Sequence, residues 1–210
     1  RKDHPANHFA TGNLETLKGI KQDEFIEFYN THYSANRMSL VLLSNKDLDE
    51  LEKLAREYFL PVKNNLLEKP EYSAIYLEPV KGLRIIKRLP VKDIRELTLM
   101  FPIPSFIEHY KTKPEMLVGF CMGHEGKGSV LSFLKMQGLA TGLSAGGGNT
   151  TTDYGRFVIN IKLTQKGVDN YQDVIKYCFS YISLLREKGI PDYLFEEIKH
   201  IAELDYTYKY

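Results

Sequence analysis

The sequence predicts an α+β fold in two layers, an antiparallel sheet with helices packed on one face. Three observations point there. "ATGLSAGGGNTTTDYGRFVINIKLT" reads as a hairpin, because Phe157, Ile159, Ile161 and Leu163 alternate with polar or smaller residues. "VDNYQDVIKYCFSYISLLREKG" and "PDYLFEEIKHIAELDY" carry their apolar residues at helical spacing. Strands and helices are mixed without regular alternation, which argues against a doubly wound sheet.

In chain order, "DEFIEFYNTHY" places Phe25, Phe28, Tyr29, His32 and Tyr33 on one face of a helix. "MSLVLL", Met38 to Leu43, is a short apolar run between polar residues and reads as a buried strand. "NKDLDELEKLAREYF" follows as a second helix with Leu48, Leu51, Leu54, Ala55 and Tyr58 on one side. Ser44 with Asp47 three residues on suggests a cap at its start. These three pieces are too few to bury a core. From residue 61 to about residue 82, Pro61, Asn64, Asn65, Pro70, Pro79 and Gly82 punctuate a stretch without period, as in an interdomain connection.

A new unit then begins. "LRIIKRLP" and "RELTLMFPIP" read as two strands. Thr112, Pro114 and Glu115 form a T-x-x-E helix start with proline in the first turn, and Met116, Leu117, Phe120 and Cys121 form its expected buried stripe. That helix runs into "GHEGKGS", Gly123 to Ser129, and "SVLSFLKMQ" leaves it as another helix that ends at Gly138. The hairpin and the two closing helices complete the chain, with Pro191 near the start of the last one.

The bulk composition excludes several classes. With 43% hydrophobic and 26% charged residues the chain is globular in character, and no apolar run approaches the roughly 20 residues of a membrane helix. A formal net charge of +1 gives no electrostatic reason for a nucleic acid or an anionic membrane as partner. Cys121 and Cys178 sit among apolar neighbours in helix-like segments and read as buried thiols, which favours a reducing, cytoplasmic setting. The chain opens on "RKDHPANHFATGN" without a methionine or a signal pattern and stops inside a helical pattern at "IAELDYTYKY", so it reads as a piece of something longer.

The glycine stretch admits three readings. A phosphate loop requires G-x-x-x-x-G-K-[ST] between strand and helix. Here Gly128 follows Lys127, and a helix precedes. A zinc site requires several convergent ligands. His124 and Glu125 are adjacent, so on a helix they point about 100° apart. No H-x-x-E-H or H-E-x-x-H occurs, His4 and His8 straddle Pro5, and His32, His109 and His200 are isolated. The residues alone carry no complete catalytic apparatus. The third reading is steric: Gly119, Gly123, Gly126 and Gly128 clear one surface of a helix end, and Gly142 and Gly146 to Gly148 clear a strand, as close approach of another backbone requires. The plain alternative is that these glycines only break a helix and loosen a hairpin.

At these residues the chain resembles the insulin-degrading-enzyme (insulinase, pitrilysin-type) zinc metallopeptidases. "HPANHFATGN", "FYNTHYSANRMSLVLLS", "PVKDIRELTLMFPIP", "GHEGKGSVLSFLKMQGLA" and "NIKLTQKG" carry the likeness, in order, over nearly the whole chain. The resemblance implies a peptide-degrading enzyme whose zinc is held by an inverted H-x-x-E-H helix and a downstream glutamate, all before residue 1. On this expectation, residues 1–65 end the catalytic domain, 66–82 link, and 83–210 form much of a second, non-catalytic domain. Zinc then belongs to the full-length protein and none to this stretch, which has no catalytic residue of its own.

The resemblance also implies site residues. "FATGN" matches a segment near the substrate pocket, making Phe9 and Thr11 candidates, with Ala10 in place of the more usual glycine. Gly119, Gly123, Glu125, Leu143, Ala145 and Gly147 match positions that anchor the amino terminus of a peptide substrate. Phe120 stands where some relatives have histidine, and Ala145 and Gly147 where others have glycine and glutamine. Expected partners are peptide substrates, the remaining domains and a possible second copy. Two alternatives stay open: a non-catalytic family member serving as a peptide-binding or processing subunit, and an unrelated α+β interaction domain.

Overall fold

The structure, a computed structural model, describes residues 4–209 apart from 10, 71, 73–83, 150 and 153. The chain divides into two units, Arg1–Leu77 and Glu78–Tyr210. Ala10, Pro79 and Gly82, and most of the expected linker, lie outside the described residues.

In the first unit, a 3-10 turn at Pro5–Asn7 precedes helices α1 (Leu14–Leu17), α2 (Gln22–His32) and α3 (Leu48–Phe59). Asn13 caps α1 by accepting from the Thr16 amide at 2.9 Å, while Thr16 Oγ1 accepts from the Asn13 amide at 2.8 Å. Ser34 is fully buried and accepts from the Asn65 amide at 2.8 Å, pinning the chain after α2 to the chain after α3. Two expectations need correction. The cap of α3 is Asp47, which accepts from the Glu50 amide at 2.8 Å, and not Ser44. Met38–Leu43 forms no strand: the segment is unpaired, with Val41 87% and Leu43 98% exposed. A strand exists only through its ladder, and among the described residues nothing pairs with this run. The apolar faces of α2 and α3 are likewise uncovered at Phe25, Phe28 and Leu48.

The second unit holds β1 (Glu96–Pro104), α4 (Pro114–Gly123), α5 (Val130–Met136), β2 (Ala140–Asn149), β3 (Tyr154–Leu163), α6 (Gln165–Asp169), α7 (Tyr171–Lys188) and α8 (Asp192–Tyr208). The three strands form one antiparallel sheet in the order β1-β3-β2. This is the expected fold class. Side chains alternate between its faces, and the odd-numbered positions Leu99, Leu143, Phe157, Ile159 and Ile161 face the core. Leu131 and Leu134 from α5, Val174 and Cys178 from α7, and Met122 from α4 close over them. Each such aliphatic side chain stabilises the unit by about 1.5–3 kcal/mol relative to exposure. Cys121 and Cys178 are free and buried.

Three local expectations fail here. Residues 84–90 of "LRIIKRLP" are not a strand, for the same lack of a described neighbour, and Leu83 lies outside the described residues. The T-x-x-E box is not formed: Lys113 is the cap, in the left-handed region at φ 42°, and Thr112 Oγ1 donates to the His109 carbonyl at 3.3 Å. Pro114 does sit in the first turn, where its missing N–H costs nothing. Finally, the stripe expected of α4 holds only in part: Cys121 is buried and Leu117 and Phe120 are half-buried, but Met116 is 50% exposed while Gly119 and Met122 are buried. The reason is Gly119, whose lack of a side chain lets α4 lie directly on the backbone of β2.

Candidate peptide-docking edge

The open edge of β2 follows from the hydrogen-bond pattern. The Leu163 amide donates to the Arg95 carbonyl at 2.8 Å, and the Thr164 amide to the Leu139 carbonyl at 3.1 Å. Odd residues of β3 therefore turn their peptide groups toward β1, and even residues toward β2. In the observed register Ser144 faces Asn160, Gly146 faces Val158 and Gly148 faces Arg156, so these pairs exchange the ladder bonds. Leu143, Ala145 and Gly147 then direct N–H and C=O away from the sheet. An internal check supports this phase. By the same alternation Pro102 and Pro104 have their nitrogens on the outer side of β1, where proline interrupts no bond. One edge of the sheet is thus blunted by prolines, and the other carries donors and acceptors.

Helix α4 lies along that second edge. An ideal Cβ on Gly119 would fall 2.9 Å from Gly146 Cα and 3.1 Å from the Ala145 carbonyl oxygen, so only glycine permits the approach. At Gly123 it would meet the Ala145 nitrogen at 3.5 Å, an ordinary contact. At Gly147 it would meet Glu115 Cβ at 2.6 Å, so Glu115 fills the space a side chain there would take. After Gly123 the chain turns through His124–Gly128, with Gly128 at φ 89°, and Ser129 caps α5 by accepting from the Ser132 amide at 3.1 Å.

Between α4, this turn, β2 and α8 lies an open groove of about 770 Å³. Gly119, Gly123, Glu125, Leu143, Ala145 and Gly147 all line it, so the structure brings together six of the eight predicted positions. Phe9 and Thr11 belong to the first unit, where Phe9 is 72% exposed and Thr11 Oγ1 donates to the Gly12 carbonyl at 3.5 Å. Glu125 is solvent-facing, with Lys135 Nζ 3.4 Å from its carboxylate. His124 accepts from the Gly126 amide at 3.2 Å through Nδ1, and its Nε2 is 3.4 Å from Glu197 on α8. Neither His124 nor Glu197 was predicted as part of the groove. "FEEI" offers two adjacent acids, and helical spacing alone does not tell which one turns inward.

Three perturbed groups lie in or against the interior of the second unit. Burial pushes the Cys178 thiol up to about 11 and raises the Cys121 thiol as well. Burial also raises the Tyr181 phenol, which donates to the Cys121 carbonyl at 3.4 Å. Both thiols are neutral and enclosed, unsuited to nucleophilic attack. Among the described residues no group of three or more His, Cys, Asp or Glu side chains could hold a metal ion, and no helix is long and apolar enough to cross a membrane.

A helix-covered antiparallel sheet, with one open edge fronted by a glycine-lined helix end, defines an α+β module. Residues 19–202 match the Peptidase M16 inactive domain. The A-factor-processing enzyme of Saccharomyces cerevisiae is 36% identical over 98% of this chain and 21% of its own length. The insulin-degrading enzyme of Drosophila melanogaster is 35% identical over 100% of this chain and 22% of its own length. The crystal structure of pitrilysin superposes with a TM-score of 0.85 at 31% identity, covering 98% of this chain and 22% of that one. The chain belongs to the insulinase-type M16 peptidase family. It spans about a fifth of the length of these relatives.

Proposed function

We propose that the chain is part of an insulinase-like zinc metalloendopeptidase that degrades peptides in an enclosed chamber, and that this part anchors substrate while zinc chemistry resides elsewhere in the protein. The observation that carries the reading is the open edge of β2 facing a glycine-lined helix end. A peptide laid there gains main-chain hydrogen bonds from Leu143, Ala145 and Gly147, which tolerate varied sequences. Glu125 offers a carboxylate to the α-ammonium, protonated for the most part near neutral pH. In the same reading residues 1–65 complete the catalytic domain with Phe9 and Thr11 near its pocket, 66–82 link, and 83–210 are the anchoring domain. Zinc, the other domains and a possible second copy complete the working protein, and the two buried free thiols favour a cytoplasmic setting.

Titration with peptides carrying free or acetylated amino termini tests this. The expected outcome is weak binding with little sequence preference, reduced by acetylation. Gly123→Val should weaken it further while the melt is retained, because the added side chain enters the groove beside the Ala145 amide. Equal affinity for both peptides, unchanged by Gly123→Val, would reduce these glycines to structural punctuation.

A further inference from the structure

We propose that Glu197 is a second carboxylate of the anchoring groove, held in place by His124, and that it receives the α-ammonium of a docked peptide together with Glu125. The proposal rests on the docking reading of the β2 edge and names a residue on a different element. His124 Nδ1 accepts from the Gly126 amide at 3.2 Å. An acceptor nitrogen carries no proton, so in the neutral ring the hydrogen is on Nε2. Nε2 lies 3.4 Å from Glu197 Oε2, within ion-pair distance. Glu125 differs: the Lys135 ammonium lies 3.4 Å from its carboxylate and offsets its field. Glu196, next to Glu197, pairs with Lys199 at 3.3 Å. Of these three carboxylates, Glu197 is the one that lines the groove with an imidazole, and no lysine ammonium, beside it.

The strut is built into the fold. The His124 side chain is 17% exposed and that of Glu197 46%, so the imidazole is enclosed while the carboxylate reaches the groove. The Phe120 ring meets the imidazole edge-on at 5.9 Å and limits its rotation. A Cβ on Gly126 would lie 2.5 Å from His124 Cε1, so glycine at 126 is what allows the ring to seat. This accounts for the histidine and third residue of "HEG", which the docking edge alone leaves unexplained. His124 is a positioning residue, acting through Glu197.

The test is the acetylation penalty, the ratio of affinities for free and N-acetylated forms of one extended peptide, measured on the whole chain. With two carboxylates at the ammonium the penalty should be about tenfold in the unaltered chain, about fivefold in Glu125→Gln and about twofold in Glu197→Gln, each exposed or half-exposed charge contact being worth a few-fold. His124→Phe keeps a ring but loses the Gly126 hydrogen bond and the polar contact with Glu197, and should lower the penalty toward that of Glu197→Gln. Glu196→Gln should leave it unchanged. A role confined to stability would shift the melt and weaken both peptides alike, leaving the ratio intact. No penalty in the unaltered chain would overturn the docking reading itself. A normal penalty that survives both Glu197→Gln and His124→Phe would overturn this inference and leave the docking reading standing.

Discussion

Replacing Gly119 by alanine tests the close seating of α4 on β2. The new Cβ would lie 2.9 Å from Gly146 Cα and 3.1 Å from the Ala145 carbonyl oxygen. Both obstacles are backbone in a paired strand, so neither moves as a side chain would. Overpacking of this kind costs about 1–3 kcal/mol. Alanine returns about 0.8–1 kcal/mol of helix propensity over glycine, leaving a net loss of up to about 2 kcal/mol. For a unit of this size that lowers the melting temperature by up to about 8 °C. Gly123→Ala is the internal control: its Cβ would meet the Ala145 nitrogen at 3.5 Å, so it should leave stability unchanged or improve it by up to about 1 kcal/mol. Calorimetry and urea titration of the two variants give the comparison. A Gly119→Ala chain no less stable than Gly123→Ala would show that α4 does not rest on β2 as described.

Two further predictions follow from contacts of the same unit. Gly147→Ala should cost about 1–3 kcal/mol, because its Cβ would fall 2.6 Å from Glu115 Cβ. Combining it with Glu115→Gly, which deletes that atom, should recover at least about 1 kcal/mol in a double-mutant cycle, and strict additivity would refute the contact. Alkaline pH should destabilise the second unit through Cys178, whose thiol is raised from 9.0 to about 11 by burial. The unfolded chain releases this proton first, so the stabilisation is complete below pH 9 and lost between pH 9 and 11. The slope is about 1.4 kcal/mol per pH unit for one thiol. Denaturant midpoints in reducing buffer should fall over this range and fall less in Cys178→Ala; the same slope in both would contradict the assignment.

What the sequence disclosed depended on whether an element is specified locally. Helices α2, α3, α7 and α8 carry their own period, and the hairpin announces itself through Phe157, Ile159, Ile161 and Leu163, all of which face the core. Met38–Leu43 and residues 84–90 look like strands in composition, but pairing is a property of the neighbour. Thr112 offered a good cap, yet the left-handed turn at Lys113 took that role once Pro114 fixed the first turn. In the groove, the glycines and Glu125 were legible because the resemblance pointed to their positions. In the sequence His124 reads only as a possible metal ligand. Its actual partners, the Gly126 amide and Glu197, are a local bond and a residue on another helix, and the second cannot be read from spacing.

Amide hydrogen exchange along β2, with and without a saturating peptide, tests the docking edge most directly. The amides of Leu143, Ala145 and Gly147 point away from β3 and should exchange rapidly in the free chain, while those of Ser144 and Gly146 are held in the ladder and should be slow throughout. Peptide binding should slow the first set and leave the second as it was. Protection of all five amides in the free chain, or a bound peptide that leaves Leu143, Ala145 and Gly147 exchanging as before, would contradict an anchoring role for this edge.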